Sequence, residues 1–226
     1  MLLDMKLKRL RRLEKQVQEY EETEIEKGLI MFYGDSSFTR WGTKFGHRPM
    51  EEDIRMKDGS KAVINHGFGT STAEEQLYYY DRMVLPWQPR ALVIQTHGND
   101  TDLNYTPKEI IFLQSRLMEY ARYDIPGIKF YLCDTRPLVK DIMKQKGVVY
   151  HHREQYNELL REYCEKHDDC TFVCHTDSPL FYNNSADVGD YDKIRTDIFV
   201  EDQVHYNQDG YDLYKEFFLQ VLDEIL

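Results

Sequence analysis

Residues 28–40 read GLIMFYGDSSFTR. An unbroken apolar run, Leu29 to Tyr33, stops at Gly34 and gives way at once to Asp35, Ser36 and Ser37. A short apolar run bounded by turn residues is the pattern of a strand buried on both faces. Four more runs of this kind follow: KAVINHGF (61–68), RALVIQTHGND (90–100, preceded by the breakers Pro86 and Pro89), IKFYLCDTRP (128–137) and the less regular CTFVCHTD (170–177). Between and after them lie helix-patterned segments: TAEEQLYYYDRMV (72–84), PKEIIFLQSRLMEYARY (107–123), HHREQYNELLREYCEKH (151–167) and QDGYDLYKEFFLQVLDEIL (208–226). In the last of these Leu213, Phe217, Leu219 and Leu222 fall near one face.

Short apolar runs alternating with longer helices are the signature of βαβ units. The expected fold is α/β, with a parallel sheet, right-handed crossovers and helices on both faces. Ligands of such sheets bind beyond the carboxyl ends of the strands. Here those ends carry Asp35-Ser36-Ser37, His66-Gly67, His97-Gly98-Asn99-Asp100 and Asp134-Thr135-Arg136. The stretch 177–197 has no clear periodicity and is expected to be a long surface loop bordering the site.

Residues 1–27 differ from the rest and are expected to form an amphipathic helical extension to a domain spanning 28–226. Leu10, Leu13, Val17 and Tyr20 share one helical face, and Lys6, Lys8, Arg9, Arg11, Arg12 and Lys15 cover the remainder. Such a helix can pack on its own domain, pair with a second copy of the chain to form a homo-oligomer, or lie on a membrane surface. The first two are the expected uses.

The 226 residues suit one sizeable core. With 41% hydrophobic and 13% aromatic residues the composition is that of a globular protein. A formal net charge of −11 argues against nucleic acid and anionic membranes as partners. No apolar run approaches a membrane span, and the N-terminus has the wrong order of charge and apolarity for a signal peptide. The expected location is the cytoplasm, with Cys133, Cys164, Cys170 and Cys174 as reduced thiols. Cys170, Cys174 and His175 match no common zinc spacing and are expected to flank a strand, so no metal is expected.

Acyl transfer needs a hydroxyl nucleophile, an imidazole base, a carboxylate to orient it, and donors aimed at the oxyanion. The strand ends can supply all of these. Ser36 follows Gly34-Asp35 at the end of the first run, where Gly34 is expected to permit a tight turn. A turn with an N-cap serine explains the same residues. Asn99 could donate to an oxyanion or simply occupy a turn. Asp202 and His205 precede the last helix at D-x-x-H spacing, which lets the carboxylate reach one ring nitrogen while the other faces the serine. A capped surface loop would look similar. What distinguishes the four residues is their common placement at one sheet edge.

Together these residues resemble the SGNH hydrolases, also called GDSL-like lipases or acylhydrolases. The matching blocks are FYGDSSFTRW, INHGFGTST, HGND and EDQVHYN, running from about Gly28 to the C-terminus. The resemblance implies a three-layer α/β/α sandwich with a flavodoxin-like parallel sheet. It implies Ser36, His205 and Asp202 as a triad. The oxyanion would be held by the N–H of Ser36, the N–H of Thr70 or Gly69, and the Asn99 amide, and no cofactor would be needed. Two family glycines are replaced, by Thr70 and His97. His97 and Ser37 are candidates for the pocket wall.

The expected reaction is hydrolysis of a small-molecule ester with a short acyl chain, acetyl being the favoured case, on a carbohydrate. Trp41, Tyr78, Tyr79, Tyr80 and Trp87 are candidates for sugar stacking or for core. Two rivals remain: a non-catalytic small-molecule or carbohydrate-binding domain on the same fold, and a flavin-binding flavodoxin-like protein, which would be yellow.

Overall fold

The computed structural model describes residues 6, 9–138 and 150–226. The parts of the N-terminal extension at 1–5, 7 and 8 lie outside these. All five apolar runs are strands: β1 Ile30–Gly34, β2 Val63–Gly67, β3 Ala91–Gln95, β4 Lys129–Cys133 and β5 Cys170–Val173. They form one sheet in the order β2-β1-β3-β4-β5, and every pairing is parallel. Gly34 sits beside Gly67 and Gln95, so the carboxyl ends of the central strands finish level with one another.

Alternation along the strands divides the core in two. Met31, Tyr33, Leu92, Ile94, Phe130 and Leu132 point to one face, and Ile30, Phe32, Val63, Val93, Tyr131 and Val173 to the other. The first face is covered by α1 (Glu14–Glu21), α4 (Ala73–Tyr78), α5 (Tyr80–Met83), α7 (Pro107–Asp124) and α8 (Tyr150–Glu165). The second carries α2 (Ser36–Thr39), α3 (Met50–Asp53) and α9 (Gln208–Val221). A further short helix, α6 (Gly98–Asp102), follows β3. The architecture is the expected three-layer sandwich. Capping boxes at Thr72/Glu75 and Thr106/Glu109 start α4 and α7, and the Asn207 side chain caps α9.

Several local expectations are corrected. The first helix is shorter than residues 1–27: a 3-10 turn at Leu10–Leu13 leads into α1, which ends at Glu21. Its apolar stripe is used within the chain, since Leu13 and Val17 are buried in the first core. The segment 72–84 breaks at Tyr79 into two helices rather than one. Residues 177–197 contain three 3-10 turns, and Phe181, Tyr182 and Ile194 are buried in the second core, so this is no surface loop. Gly34 does not serve a turn either, and its φ is not positive. A Cβ there would lie 2.8 Å from the Gln95 carbonyl oxygen and 2.8 Å from the Phe38 ring, so close packing excludes a side chain.

Candidate active site

At the carboxyl edge of the sheet β1 runs directly into α2, whose first residue is Ser36. The Asp35 carboxylate caps this helix by accepting from the Ser37 N–H at 2.9 Å. Ser36 is left half-buried at the mouth of a cavity of about 570 Å³. From the opposite side, the segment before α9 presents His205. Its Nε2 lies 2.9 Å from Ser36 Oγ, and its Nδ1 lies 2.6 Å from Asp202 Oδ2. The other Asp202 oxygen accepts from the N–H groups of Val204 and His205, both at 2.9 Å. The carboxylate is thereby fixed in orientation, and it fixes the ring.

The electrostatics follow this geometry. Burial works to raise the Asp202 pKa. The N–H of His205, its ring and the N–H of Val204 outweigh burial and hold the carboxyl at about 2. Burial pushes His205 below its ordinary value; the Asp202 hydrogen bond opposes this, and the charges of Arg136 and Arg40 add to it. At neutral pH the ring is therefore an unprotonated imidazole with its Nδ1 proton on Asp202 and a free lone pair toward Ser36. Arg40 also pairs with Asp202 at 3.7 Å.

The other predicted residues converge on the same cavity, which is lined by Ser37, Gly69, Thr70, His97 and Asn99. Asn99 uses one amide hydrogen on the Ser71 carbonyl, 3.0 Å away, and keeps a second. Gly69 is excluded as a donor because its N–H is taken by Gln16 Oε1 at 2.8 Å. The Thr70 N–H has no such partner among the described residues. The HGND motif does not form a turn. It opens α6, with the buried Asp100 carboxylate accepting from Thr96 Oγ1 (2.5 Å), Ala73 N (2.8 Å) and His97 N (3.1 Å). Burial raises the Asp100 pKa to about 6, against those three bonds. His97 is buried beside His152, with its Nε2 3.1 Å from His152 Nδ1. Burial and the charge of Arg153 keep its ring well below the ordinary histidine range, so it is a neutral wall.

Both replaced glycines have positive φ: Thr70 at 66° and His97 at 123°. These are conformations that L-residues avoid. The 67–70 loop is held by a row of side chains from the N-terminal extension. Tyr20 donates to the Gly67 carbonyl, and Gln16 brackets Gly69 at both its N–H and its carbonyl. Arg12 donates to Thr70 Oγ1 at 2.9 Å and to the Thr70 carbonyl at 2.6 Å. Gln16 and Tyr20 stand four apart on α1, and Arg12 on the 3-10 turn that leads into it, a four-residue spacing visible in the sequence whose target is not.

Other candidate residues lie away from the cavity. Trp41, Tyr79, Tyr80 and Trp87 are core, and Tyr78 is exposed, but none lines the cavity. Nor does any residue of 177–197. His175 is fully buried with Nδ1 2.7 Å from Asp134 Oδ1, a pair that ties the end of β4 to the end of β5. Among the described residues no cluster of three or more His, Cys, Asp or Glu side chains could hold a metal ion.

The match of the chain to a family model agrees with this arrangement. Residues 32–213 match the GDSL-like lipase/acylhydrolase family. The chain belongs to that family. It is therefore a carboxylic ester hydrolase by class. No protein of curated function matches the sequence significantly. Among solved structures, a GDSL-like lipase of Bacteroides thetaiotaomicron has a TM-score of 0.70 at 16% identity, covering 96% of this chain and 100% of its own. A protein of Bacteroides fragilis described as an acylhydrolase has a TM-score of 0.71 at 18% identity, with 97% and 99% covered. A psychrotrophic esterase from Pseudoalteromonas, solved as inhibited by monoethylphosphonate, has a TM-score of 0.63 at 13% identity, with 88% and 98% covered. At such identities these similarities establish the SGNH hydrolase fold.

Proposed function

We propose that this GDSL-like hydrolase cleaves a short-chain acyl ester through Ser36, His205 and Asp202. The observation that carries the reading is the continuous relay from Asp202 Oδ2 through His205 to Ser36 Oγ at the cavity mouth, with contacts of 2.6 and 2.9 Å. His205 takes the Ser36 proton as Oγ attacks the ester carbonyl. Asp202 keeps the Nδ1–H tautomer and stabilises the imidazolium. The oxyanion is received by the N–H of Ser36, the N–H of Thr70 and the second amide hydrogen of Asn99. His205 then protonates the leaving alcohol, and water repeats the attack on the acyl-enzyme.

The cavity lining supports a small, polar substrate. Among the described residues Phe45, Leu138 and Val204 are its aliphatic and aromatic members, while most of the remainder are polar or charged. A long acyl chain gains about 0.8 kcal/mol per methylene only where it leaves water for apolar surface, and three apolar side chains among the described lining residues give it few such contacts. An acetyl group on a carbohydrate alcohol fits, with Phe45 as the aromatic surface. The same reading places the enzyme in the cytoplasm with its thiols reduced, which cell fractionation tests.

The test is labelling with a fluorophosphonate probe and peptide mapping, with Ser36→Ala as control, followed by a chain-length series of aryl esters. Labelling at Ser36 that vanishes in the variant, with acetyl esters turned over faster than long-chain ones, is expected. Absence of labelling in folded wild-type protein would refute the hydrolytic reading. A preference for long chains would refute the substrate class.

A further inference from the structure

By composition alone, a protein of formal charge −11 would line its cavity with carboxylates. Here Arg40, Lys44, Arg136 and Arg153 outnumber Asp35 and Asp102. Two of the cations are compensated, Arg40 by Asp202 at 3.7 Å and Lys44 by Glu19 at 3.2 Å. Arg136 is not. It is 92% buried, its relative exposure being 8%, and it forms no ion pair among the described residues, Asp35 acting on its charge only from a distance. Nη2 donates to the Val204 carbonyl at 3.0 Å, while Nη1 is buried with no hydrogen-bond partner of ordinary geometry among the described residues. The guanidinium carbon lies over the Tyr206 ring, 4.7 Å from its centroid.

An arginine cannot escape burial by losing its proton. A buried charge left unpaired is strongly unfavourable, so a fold that retains one at a cavity wall leaves the cost to be met by something that enters. The group is also held in place. Arg153 donates to the Arg136 backbone carbonyl, and Nη2 is bound to the residue next to His205. A fixed planar fork with unused donors, next to the reacting centre, is the geometry that recognises a carboxylate or another oxyanion. The charge reaches the chemistry, because Arg136 is among the groups that depress His205.

We infer that Arg136 binds an anionic group of the substrate, so that this enzyme hydrolyses esters carrying a carboxylate close to the scissile carbonyl. The inference rests on the hydrolytic reading of Ser36 and extends it to a substrate class. The carboxylate can belong to the acyl part or to the alcohol part, and both present the same oxyanion to the guanidinium. Its remaining bonds, to Val204 and Tyr206, would by themselves make Arg136 a brace for the His205 segment, and the experiment must separate the two roles.

Three aryl esters do so: neutral phenyl acetate, 3-acetoxybenzoate with the charge on the alcohol, and monophenyl succinate with the charge on the acyl group. Wild-type enzyme is expected to show kcat/KM at least tenfold higher for one of the charged esters than for phenyl acetate, mostly through KM. Which charged ester is preferred assigns the anion to one side of the ester. In Arg136→Gln that ratio is expected to fall to about one, with Arg136→Lys retaining part of it. Wild-type enzyme alone supplies a second measurement, competitive inhibition by 3-hydroxybenzoate or succinate at concentrations where phenol is inert. A wild-type ratio at or below one, or a ratio unchanged in Arg136→Gln while all three rates fall together, overturns anion recognition and leaves the brace. Loss of all three activities together with fluorophosphonate labelling in folded wild-type protein would instead overturn the hydrolytic reading, and this inference with it.

Discussion

Replacing Arg12 by alanine tests whether the N-terminal extension takes part in catalysis. Arg12 makes three charge-assisted bonds, two to Thr70 and one of 2.7 Å to Glu75, whose carboxylate side chain is fully buried. Without Arg12 that carboxylate keeps only the N–H and hydroxyl of Thr72, at 3.1 and 3.2 Å. Removing one partner of a fully buried pair costs about 3–5 kcal/mol. Arg12 is one-third exposed, so water replaces part of what is lost, and about 2 kcal/mol is the expected destabilisation. The effect on rate is separate. Thr70 at φ 66° lies about 1–2 kcal/mol above a relaxed backbone, and Arg12 is its side-chain restraint. Releasing it lets the N–H turn away from the oxyanion position. Deleting an oxyanion donor outright costs about 10²–10³ in kcat, so a loosened one should cost about 10- to 100-fold with KM nearly unchanged. Arg12→Lys keeps the charge beside Glu75 but not the two-pronged grip, and should fall between. Urea unfolding and steady-state kinetics on an aryl acetate measure the two effects. A lowered urea midpoint with wild-type kcat would show that the clamp serves stability alone, and no change in either would refute the reasoning entirely.

Four other changes probe the site. Asp202→Asn should lower kcat by about 10³–10⁴ with the fold intact, because the ring loses its orienting carboxylate and its tautomer; circular dichroism with kinetics checks this. Asn99→Ala should cost about 3–4 kcal/mol of transition-state stabilisation, appearing in kcat rather than KM. In a pH profile of kcat/KM, activity is lost as pH falls through the pKa of His205, so the acid limb should have its midpoint below 6.5. Arg40→Gln removes a charge that depresses His205 and should move that limb upward; a downward shift would contradict the assignment. Gly34→Ala should destabilise by about 1–3 kcal/mol, read as a lower urea midpoint, since its Cβ would meet the Gln95 carbonyl at 2.8 Å.

The sheet was legible because burial on both faces forces continuous apolar runs, and each of the five runs is a strand. The placement of Ser36 and Asn99 at one edge was legible for the same reason, since parallel strands place their carboxyl ends together, whereas Asp202 and His205 follow no strand and stood out by their D-x-x-H spacing before the last helix. Boundaries inside helices were not. Nothing in TAEEQLYYYDRMV marks the break at Tyr79, and the uniform charge pattern of residues 1–27 hides the stop at Glu21. Residues 177–197 looked like a surface loop because their buried members, Phe181, Tyr182 and Ile194, follow no period. The least legible features are pairings between distant segments. Gln16 meets Gly69 across 53 positions, Arg12 meets Thr70 across 58, and Arg136 reaches Val204 across 68. Arg12 and Gln16 read in sequence as ordinary solvated side chains and Arg136 as one of several polar strand-end residues, and only the fold supplies their partners.

The two positions where family resemblance leads one to expect glycine show why those pairings matter. Thr70 and His97 stand on the same cavity, and both keep the positive φ that glycine would adopt without strain. Glycine reaches such a backbone freely but leaves it just as freely. A side chain there costs of order 1–3 kcal/mol and persists only where surrounding bonds over-determine it. At Thr70 those bonds come from Arg12. At His97 they come from Asp100, which accepts its N–H, from Thr101, whose hydroxyl and N–H both bond its carbonyl, and from His152 on its ring. At both positions the chain carries a constrained residue with its own brace on the wall of the cavity that holds Ser36. The bracing has a physical advantage. Donors that are already fixed need no reorganisation when charge develops on the substrate, and that saving counts in the transition state. The N-terminal extension belongs to this device, since Arg12 on its 3-10 turn and Gln16 and Tyr20 on α1 grip the backbone from Gly67 to Thr70.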